Sequence, residues 1–232
     1  MTATIPVITI DGPSGTGKGT LAAAVAERLG YHLLDSGALY RAVALVALKT
    51  GADLDDPALL EDIARGLDIR FARAPGPPGP PLTLLAGRDV TATLRGEACG
   101  EAASKVAAVP AVRRALLARQ HAFRAPPGLV ADGRDMGTVV FPDAGLKVYL
   151  TASAEARAAR RHKQLKEQGS DVSLAGLAAA IAERDRRDST RAVAPLRPAG
   201  DAVTIDSTGL DARGVFERTM QLVEAYRARV TT

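Results

Sequence analysis

The sequence predicts an α/β fold: a five-stranded parallel sheet flanked by helices on both faces. Five short apolar runs, at 7–11, 31–35, 129–132, 146–150 and 202–205, alternate with helical stretches, and strands buried on both faces read as near-continuous apolar runs of this kind. A glycine-rich loop carrying a lysine joins the first run to the first helix. Three of the runs end in aspartate, namely Asp11, Asp35 and Asp132. Ligands of open parallel sheets bind beyond the C-terminal strand ends, so these aspartates and their loops are expected around one crevice.

The loop reads Gly12-Pro13-Ser14-Gly15-Thr16-Gly17-Lys18-Gly19-Thr20. Its Gly-x4-Gly-Lys spacing, between a strand and a helix, is that of a phosphate cradle of the P-loop NTPase type. Glycines let successive backbone N–H groups converge on one anion. The helix N-terminus adds a partial positive charge, and Lys18 adds a full one near the β- and γ-phosphates. A tight turn alone explains the glycines but not the lysine. The strict motif places Ser or Thr after the lysine as a magnesium ligand. Here Gly19 stands there and Thr20 follows, so magnesium is expected to be held mainly by phosphate oxygens and water. Thr20 and Asp132 are the candidate protein contacts, direct or through water.

The first helix presents Leu21, Val25 and Leu29 on one face and stops at Gly30. After the second strand, 38–49 reads as an apolar helix closed by Gly51. Asp56 and Pro57 start another, with Leu59, Leu60, Ile63 and Leu67 as its buried stripe. The pattern then changes. Short strands at 68–73 and 82–85 flank a Pro75-Gly76-Pro77-Pro78-Gly79-Pro80-Pro81 run, and Ala86-Gly87-Arg88-Asp89 forms a turn. The run is too short for a collagen-like helix and reads as an exposed loop. Residues 68–95 are thus expected as a β-containing insertion within a single domain spanning 1–232. Helices follow at 96–109 and 110–123. Ser153 caps a helix to about 168, Ser173 caps another to about 188, and the last runs over 212–230.

Composition narrows the function classes. The net charge of +4, from 30 basic and 26 acidic residues, suits a small anionic substrate as well as nucleic acid and does not choose between them. Aromatics make up 3% and tryptophan is missing, which argues against stacking platforms for single strands. The single Cys99 excludes an intramolecular disulfide and fits a reducing compartment. The start of the chain reads as a strand rather than a signal peptide, and the apolar helix around 42–48 is too short to span a bilayer. The expectation is a cytoplasmic monomer with no membrane or nucleic-acid partner.

Several side chains carry chemistry. Asp35 and Ser36 stand where a helix cap belongs, and Arg41 lies early in an apolar helix, where its planar fork suits phosphate oxygens. Asp132-Gly133-Arg134-Asp135-Met136-Gly137 follows the third strand. Asp132 occupies the position of a Walker B acid, able to orient magnesium-bound water or Lys18. Arg134 offers a cation for phosphate, and Asp135 a carboxylate for an amino group. The segment 183–191 holds Arg184, Arg186, Arg187 and Arg191. In a helix, Arg184, Asp188 and Arg191 share one face, and Arg186 reads as solvated. Arg157, Arg160 and Arg161 cluster on the preceding helix. Two arginine-bearing helices joined by a polar turn at 169–171 are expected to form a lid over 153–191, since a transferring phosphoryl group needs several cations.

Gly-Lys-Gly-Thr in the loop resembles the nucleoside monophosphate kinases rather than GTPases or motor ATPases. Adding Leu-Asp-Ser-Gly-x-x-Tyr-Arg (34–41), Asp-Gly-Arg-Asp-Met-Gly-Thr-Val-Val-Phe-Pro-Asp (132–143) and Glu-Arg-Asp-x-Arg-Asp-x-x-Arg-Ala-x-x-Pro-Leu (183–196), the sequence resembles the bacterial cytidylate kinases over nearly its whole length. The resemblance implies transfer of the γ-phosphoryl of ATP, with Mg2+, to CMP or dCMP, and an enlarged monophosphate-binding insertion. It implies Arg41, Arg134 and Arg191 on the acceptor phosphate, with Ser36 beside them. Ser104, Arg113 and Asp135 would read cytosine, and Arg184 and Asp188 would contact the ribose. Lys18, Arg134, Arg157, Arg161 and Arg191 would stabilise the transferring group. As bare sequence, Ser104 and Arg113 look like ordinary helix-surface residues. A kinase for UMP, AMP or a metabolite hydroxyl, with Asp35 as base, stays open as an alternative. So does a P-loop ATPase or switch protein.

Overall fold

The structure is a computed structural model that describes residues 5–73, 81–167, 169 and 172–230. The chain forms two compact units, one of Met1–Asp35 with Gln120–Thr232 and the other of Ser36–Arg119. The first begins with β1 (Val7–Asp11), α1 (Lys18–Leu29) and β2 (His32–Asp35). The second holds α2 (Ser36–Thr50), α3 (Pro57–Arg65), β3 (Ile69–Arg73), β4 (Pro81–Leu85), β5 (Arg88–Asp89), α4 (Thr91–Leu94), α5 (Glu97–Val106) and most of α6 (Pro110–His121). The chain then completes the first unit with β6 (Leu129–Gly133), a π-helical turn (Met136–Val140), β7 (Leu146–Thr151), α7 (Ala154–Glu167), α8 (Leu174–Thr190), β8 (Val203–Asp206) and α9 (Ala212–Val230).

The first unit is built on a five-stranded sheet in the order β2-β6-β1-β7-β8, every neighbouring pair parallel. β1 and β6 are buried along their whole length, as central strands covered on both faces must be. Ile8, Ile10, Val130, Val148, Leu150 and Ile205 form the core with Leu21, Ala22, Val25 and Ala26 of α1 and Val215 and Val223 of α9. Each such aliphatic side chain contributes roughly 1.5–3 kcal/mol on burial. The register aligns Asp132 with both Ile10 and Asp35, and Asp11 with Gly133. The acidic strand ends therefore lie side by side along one edge of the sheet.

Where β1 leaves that edge, only glycine fits. A Cβ on Gly12 would stand 2.0 Å from the Leu150 carbonyl oxygen, and its φ is +152°. After α1, Gly30 takes the left-handed conformation at φ 67° and caps the Ala26 and Glu27 carbonyls, as its position predicts.

In the second unit, α2 packs on α3, α4 and α5 with Leu39, Val43 and Ala47 fully buried. Asp56 caps α3 by accepting from the Ala58 and Leu59 N–H groups at 3.0 and 3.1 Å. The three strands β3-β4-β5 pair antiparallel, with Ile69 opposite Leu85 and Leu84 opposite Asp89.

The structure departs from the sequence reading in several places. Arg88 and Asp89 pair with β4 instead of turning, and α4 follows inside the stretch expected to be β-containing. Leu59 is 39% exposed, outside the buried stripe of Leu60 and Leu67. α2 starts at Ser36, two residues before the expected 38, which leaves Asp35 at its cap position. α8 continues two residues past 188. The π-helical turn was not expected. It forms where the Asp11 carboxylate accepts from the Met136 and Gly137 N–H groups at 2.9 and 2.8 Å. Residues 75–80 of the Pro/Gly run lie outside the described residues, as do 168, 170 and 171 beside the expected lid turn.

Candidate active site

Gly17 sits in the left-handed region at φ 89° as the residue before α1, with no side chain capping the helix. Its open backbone donors are what an anion would satisfy. Lys18 folds back over the loop, its Nζ donating to the Pro13 carbonyl at 3.0 Å. The Thr16 hydroxyl donates to the same oxygen at 3.2 Å. Burial pushes Lys18 from 10.5 down to about 7, and the Arg134 charge adds to the effect while Asp132 opposes it. Asp132 is pushed up to about 7 by burial, against the Lys18 charge. One Asp132 oxygen, Oδ1, is buried without a hydrogen-bond partner. The other would lie 3.2 Å from a Cβ at position 19, so a Ser or Thr at position 19 would press on this carboxylate. Asp11 is raised to about 6 by burial, offset by its two backbone donors.

Past the Asp132 strand end lies a cluster of arginines and carboxylates. Arg134 donates from Nε to Asp188 at 3.1 Å, Arg184 reaches the same carboxylate at 4.0 Å, and Arg191 lies 3.7 Å from Asp135. Asp135 and Asp188 are buried. Burial alone would raise the Asp188 carboxyl, but Arg134, Arg184 and Arg191 hold it below the usual range. Half-buried arginines, one just past a strand end, one on the C-terminal part of α8 and one at its C-cap, are placed to meet phosphate oxygens.

The expected lid arginines part ways. Arg161 binds Gln164 on its own helix at 2.8 Å. Arg157 is buried, donating to the carbonyls of Ala152 and Ser14, each at 3.1 Å, and to Asp185. Arg160 holds the turn after β8 through the carbonyls of Ser207 and Leu210 and the Ser207 hydroxyl. Arg186 is solvated beside Glu183, as expected. Thr20 is exposed on the first turn of α1. Among the described residues no group of three His, Cys, Asp or Glu side chains could hold a metal. Thr20 and the unpartnered Asp132 Oδ1 are the oxygens beside the loop that could meet a metal, directly or through water.

In the second unit Ser36 is buried at the start of α2, and Arg41 donates to the Leu94 carbonyl. Ser104 and Arg113 are buried, against the surface position their sequence suggests. Arg113 donates to the Ala107 carbonyl at 3.2 Å and lies 5.5 Å over the Tyr40 ring. Sequence reasoning missed Asp185 and Ser207. Ser207 had a usable signal, because Asp206-Ser207-Thr208-Gly209 repeats at β8 the acid-serine-small pattern of Asp35-Ser36-Gly37 at β2.

A family model described as "Cytidylate kinase" matches residues 8–225, a span holding all of these residues. The chain belongs to the cytidylate kinase family. A cytidylate kinase of Stutzerimonas stutzeri is 57% identical over 219 residues, covering 94% of this chain and 95% of the relative. One of Methylococcus capsulatus is 56% identical over 226 residues, 97% and 100% of the two chains. One of Pseudomonas aeruginosa PAO1 is 55% identical over 224 residues, 97% of each. The matched span 8–225 includes the phosphate loop, the arginine segment of α8 and all of the sheet except Val7.

Proposed function

We propose that this cytidylate kinase family member transfers the γ-phosphoryl group of ATP in line to CMP and dCMP, giving ADP and CDP or dCDP. The observation that carries the reading is one unit holding both a phosphate cradle with a buried lysine and, past the neighbouring strand end, half-buried Arg134 and Arg191 paired with buried Asp188 and Asp135.

Gly12, Pro13, Ser14, Gly15, Thr16, Gly17, Lys18, Gly19 and Thr20 bind the ATP phosphates. Lys18 leaves the Pro13 carbonyl for the phosphate oxygens as charge develops there. Arg41, Arg134 and Arg191 hold the acceptor phosphate with Ser36. Ser104, Arg113 and Asp135 read the base, and Arg184 and Asp188 the ribose. The Asp135 carboxylate accepts from the cytosine N4 amino group. Uracil presents a carbonyl at that position, so the site rejects it. An acceptor phosphate is already anionic, so no general base is needed. Catalysis is positioning and charge neutralisation. Thr20 and Asp132 would contact a bound Mg2+, directly or through water, and the ion would supply charge neutralisation on the phosphates. Residues 153–191 act as the lid, bringing Arg161 to the nucleotide side and excluding water as acceptor, while Arg157, held by the Ser14 carbonyl and Asp185, acts on the transferring group through the loop it holds.

We place the enzyme in the cytoplasm as a monomer without nucleic-acid or membrane partners. Cys99 is free and buried, and no helix among the described residues is long and apolar enough to cross a membrane. Lys18→Ala tests the cradle. Turnover with CMP falls by about 10³ or more while circular dichroism stays unchanged. Near-normal turnover would remove Lys18 from the mechanism.

A further inference from the structure

The α7 arginine Arg157 is 5% exposed, and its guanidinium is spent on protein partners. Nε donates to the Ala152 carbonyl at 3.1 Å, Nη1 to the Ser14 carbonyl at 3.1 Å, and Nη2 to Asp185 Oδ2 at 2.5 Å. Gly15 lies flat against it, for a Cβ there would stand 3.2 Å from Arg157 Cβ. In a trans peptide the carbonyl of Ser14 and the N–H of Gly15 point in opposite directions. A cation that draws the Ser14 carbonyl toward α7 therefore turns the Gly15 N–H away from α7, to the concave side of the loop. The second Asp185 oxygen is buried without a hydrogen-bond partner. A buried ion pair that leaves an oxygen unsatisfied is a poor stabiliser, so its worth lies in orientation.

We propose that Asp185 is a positioning residue for the ATP phosphates: through Arg157 it fixes the Ser14–Gly15 peptide so that its N–H faces the nucleotide. The inference rests on the P-loop binding the donor, as proposed above. Asp185 lies on the helix that carries Arg184 and Asp188, so one rigid element sets both the donor loop and the partner of Arg134.

The test is a double-mutant cycle on the full chain. It reads MgATP affinity with no acceptor present, CMP affinity separately, and the thermal midpoint. Asp185→Asn is expected to weaken MgATP binding about tenfold, the size of a lost charge-assisted hydrogen bond, and to leave CMP binding within about twofold. Arg157→Lys, which keeps the charge but loses the fork, should lose a similar factor. The double variant should lose no more than the larger single loss. Asp185→Glu should recover part of it. The proposal is overturned by a lowered midpoint with unchanged MgATP affinity, by equal weakening of both nucleotides, or by additive losses. If Asp185→Asn does not fold, Arg157→Lys and Asp185→Glu carry the same comparison. A wild-type chain that fails to bind MgATP would instead sink the functional reading itself.

Discussion

The buried Lys18 makes ATP binding a proton-linked event. Its pKa of about 7, against 10.5 for an ordinary lysine, leaves roughly nine tenths of the side chains neutral at pH 8, half at pH 7 and one tenth at pH 6. The triphosphate favours the ammonium form and draws a proton onto it. Binding should therefore take up about 0.9 proton at pH 8, about 0.5 at pH 7 and about 0.1 at pH 6. Asp132, raised to about 7, is about nine tenths ionised at pH 8, so as a magnesium contact it gives up only about 0.1 proton there. The sign follows from linkage: the bound state holds more protons, so affinity falls as pH rises through 7. From Lys18 alone the loss is about fivefold between pH 7 and 8 and about ninefold between 8 and 9. A full return to 10.5 would correspond to roughly 5 kcal/mol of coupling between phosphate and ammonium, at about 1.4 kcal/mol per pKa unit. Calorimetric titration of MgATP in two buffers of different ionisation enthalpy gives the proton count directly. At pH 8 the nucleotide itself is fully ionised and contributes nothing. Zero uptake or net release at pH 8 would refute a neutral resting Lys18.

Three further substitutions test other parts of the structure. Gly12→Ala forces a Cβ against the Leu150 carbonyl at 2.0 Å and should cost about 3 kcal/mol or more, read as a lowered midpoint in thermal unfolding; a midpoint within 2 °C of wild type would mean that strand end is looser than described. Asp135→Asn, with its amide able to donate to a uracil carbonyl, should lower kcat/KM for CMP about a hundredfold while UMP loses far less, so that unchanged discrimination would move base reading elsewhere. Asp188→Asn strips the carboxylate from between Arg134, Arg184 and Arg191. Removing one partner of such a buried group costs about 3 kcal/mol, and an excess of CMP should restore part of the lost midpoint by supplying phosphate to the stranded arginines.

The parts of this protein legible from sequence are those written in local spacing. The loop around Lys18, the Gly30 stop and the Asp56 cap each depend on residues within a few positions of one another, and the structure holds all three as expected. Parallel strands showed because burial on both faces leaves an uninterrupted apolar run. What stayed hidden depends on distant partners. The π-helical turn at Met136 exists because Asp11, 125 positions earlier, accepts its first N–H. Arg113 looks like a surface residue until Tyr40 is seen beneath it. Arg157 read as a mobile lid cation, but Ser14 and Asp185 hold it, and neither contact has a sequence signature. Leu59 was misplaced for a smaller reason: in the first turn of α3 the apolar spacing allows two stripes, and Leu60 takes the buried one.

The most direct measurement is a coupled ADP-release assay with MgATP and each of CMP, dCMP, UMP, AMP and GMP offered alone, beside a control with no acceptor. Release with CMP and dCMP well above the other three and above the control is the predicted result. Equal release without acceptor would make the chain an ATPase, and silence with all five nucleotides while a hydroxyl-bearing metabolite is phosphorylated would contradict the assignment of Asp135 and the arginine cluster to a cytidine monophosphate.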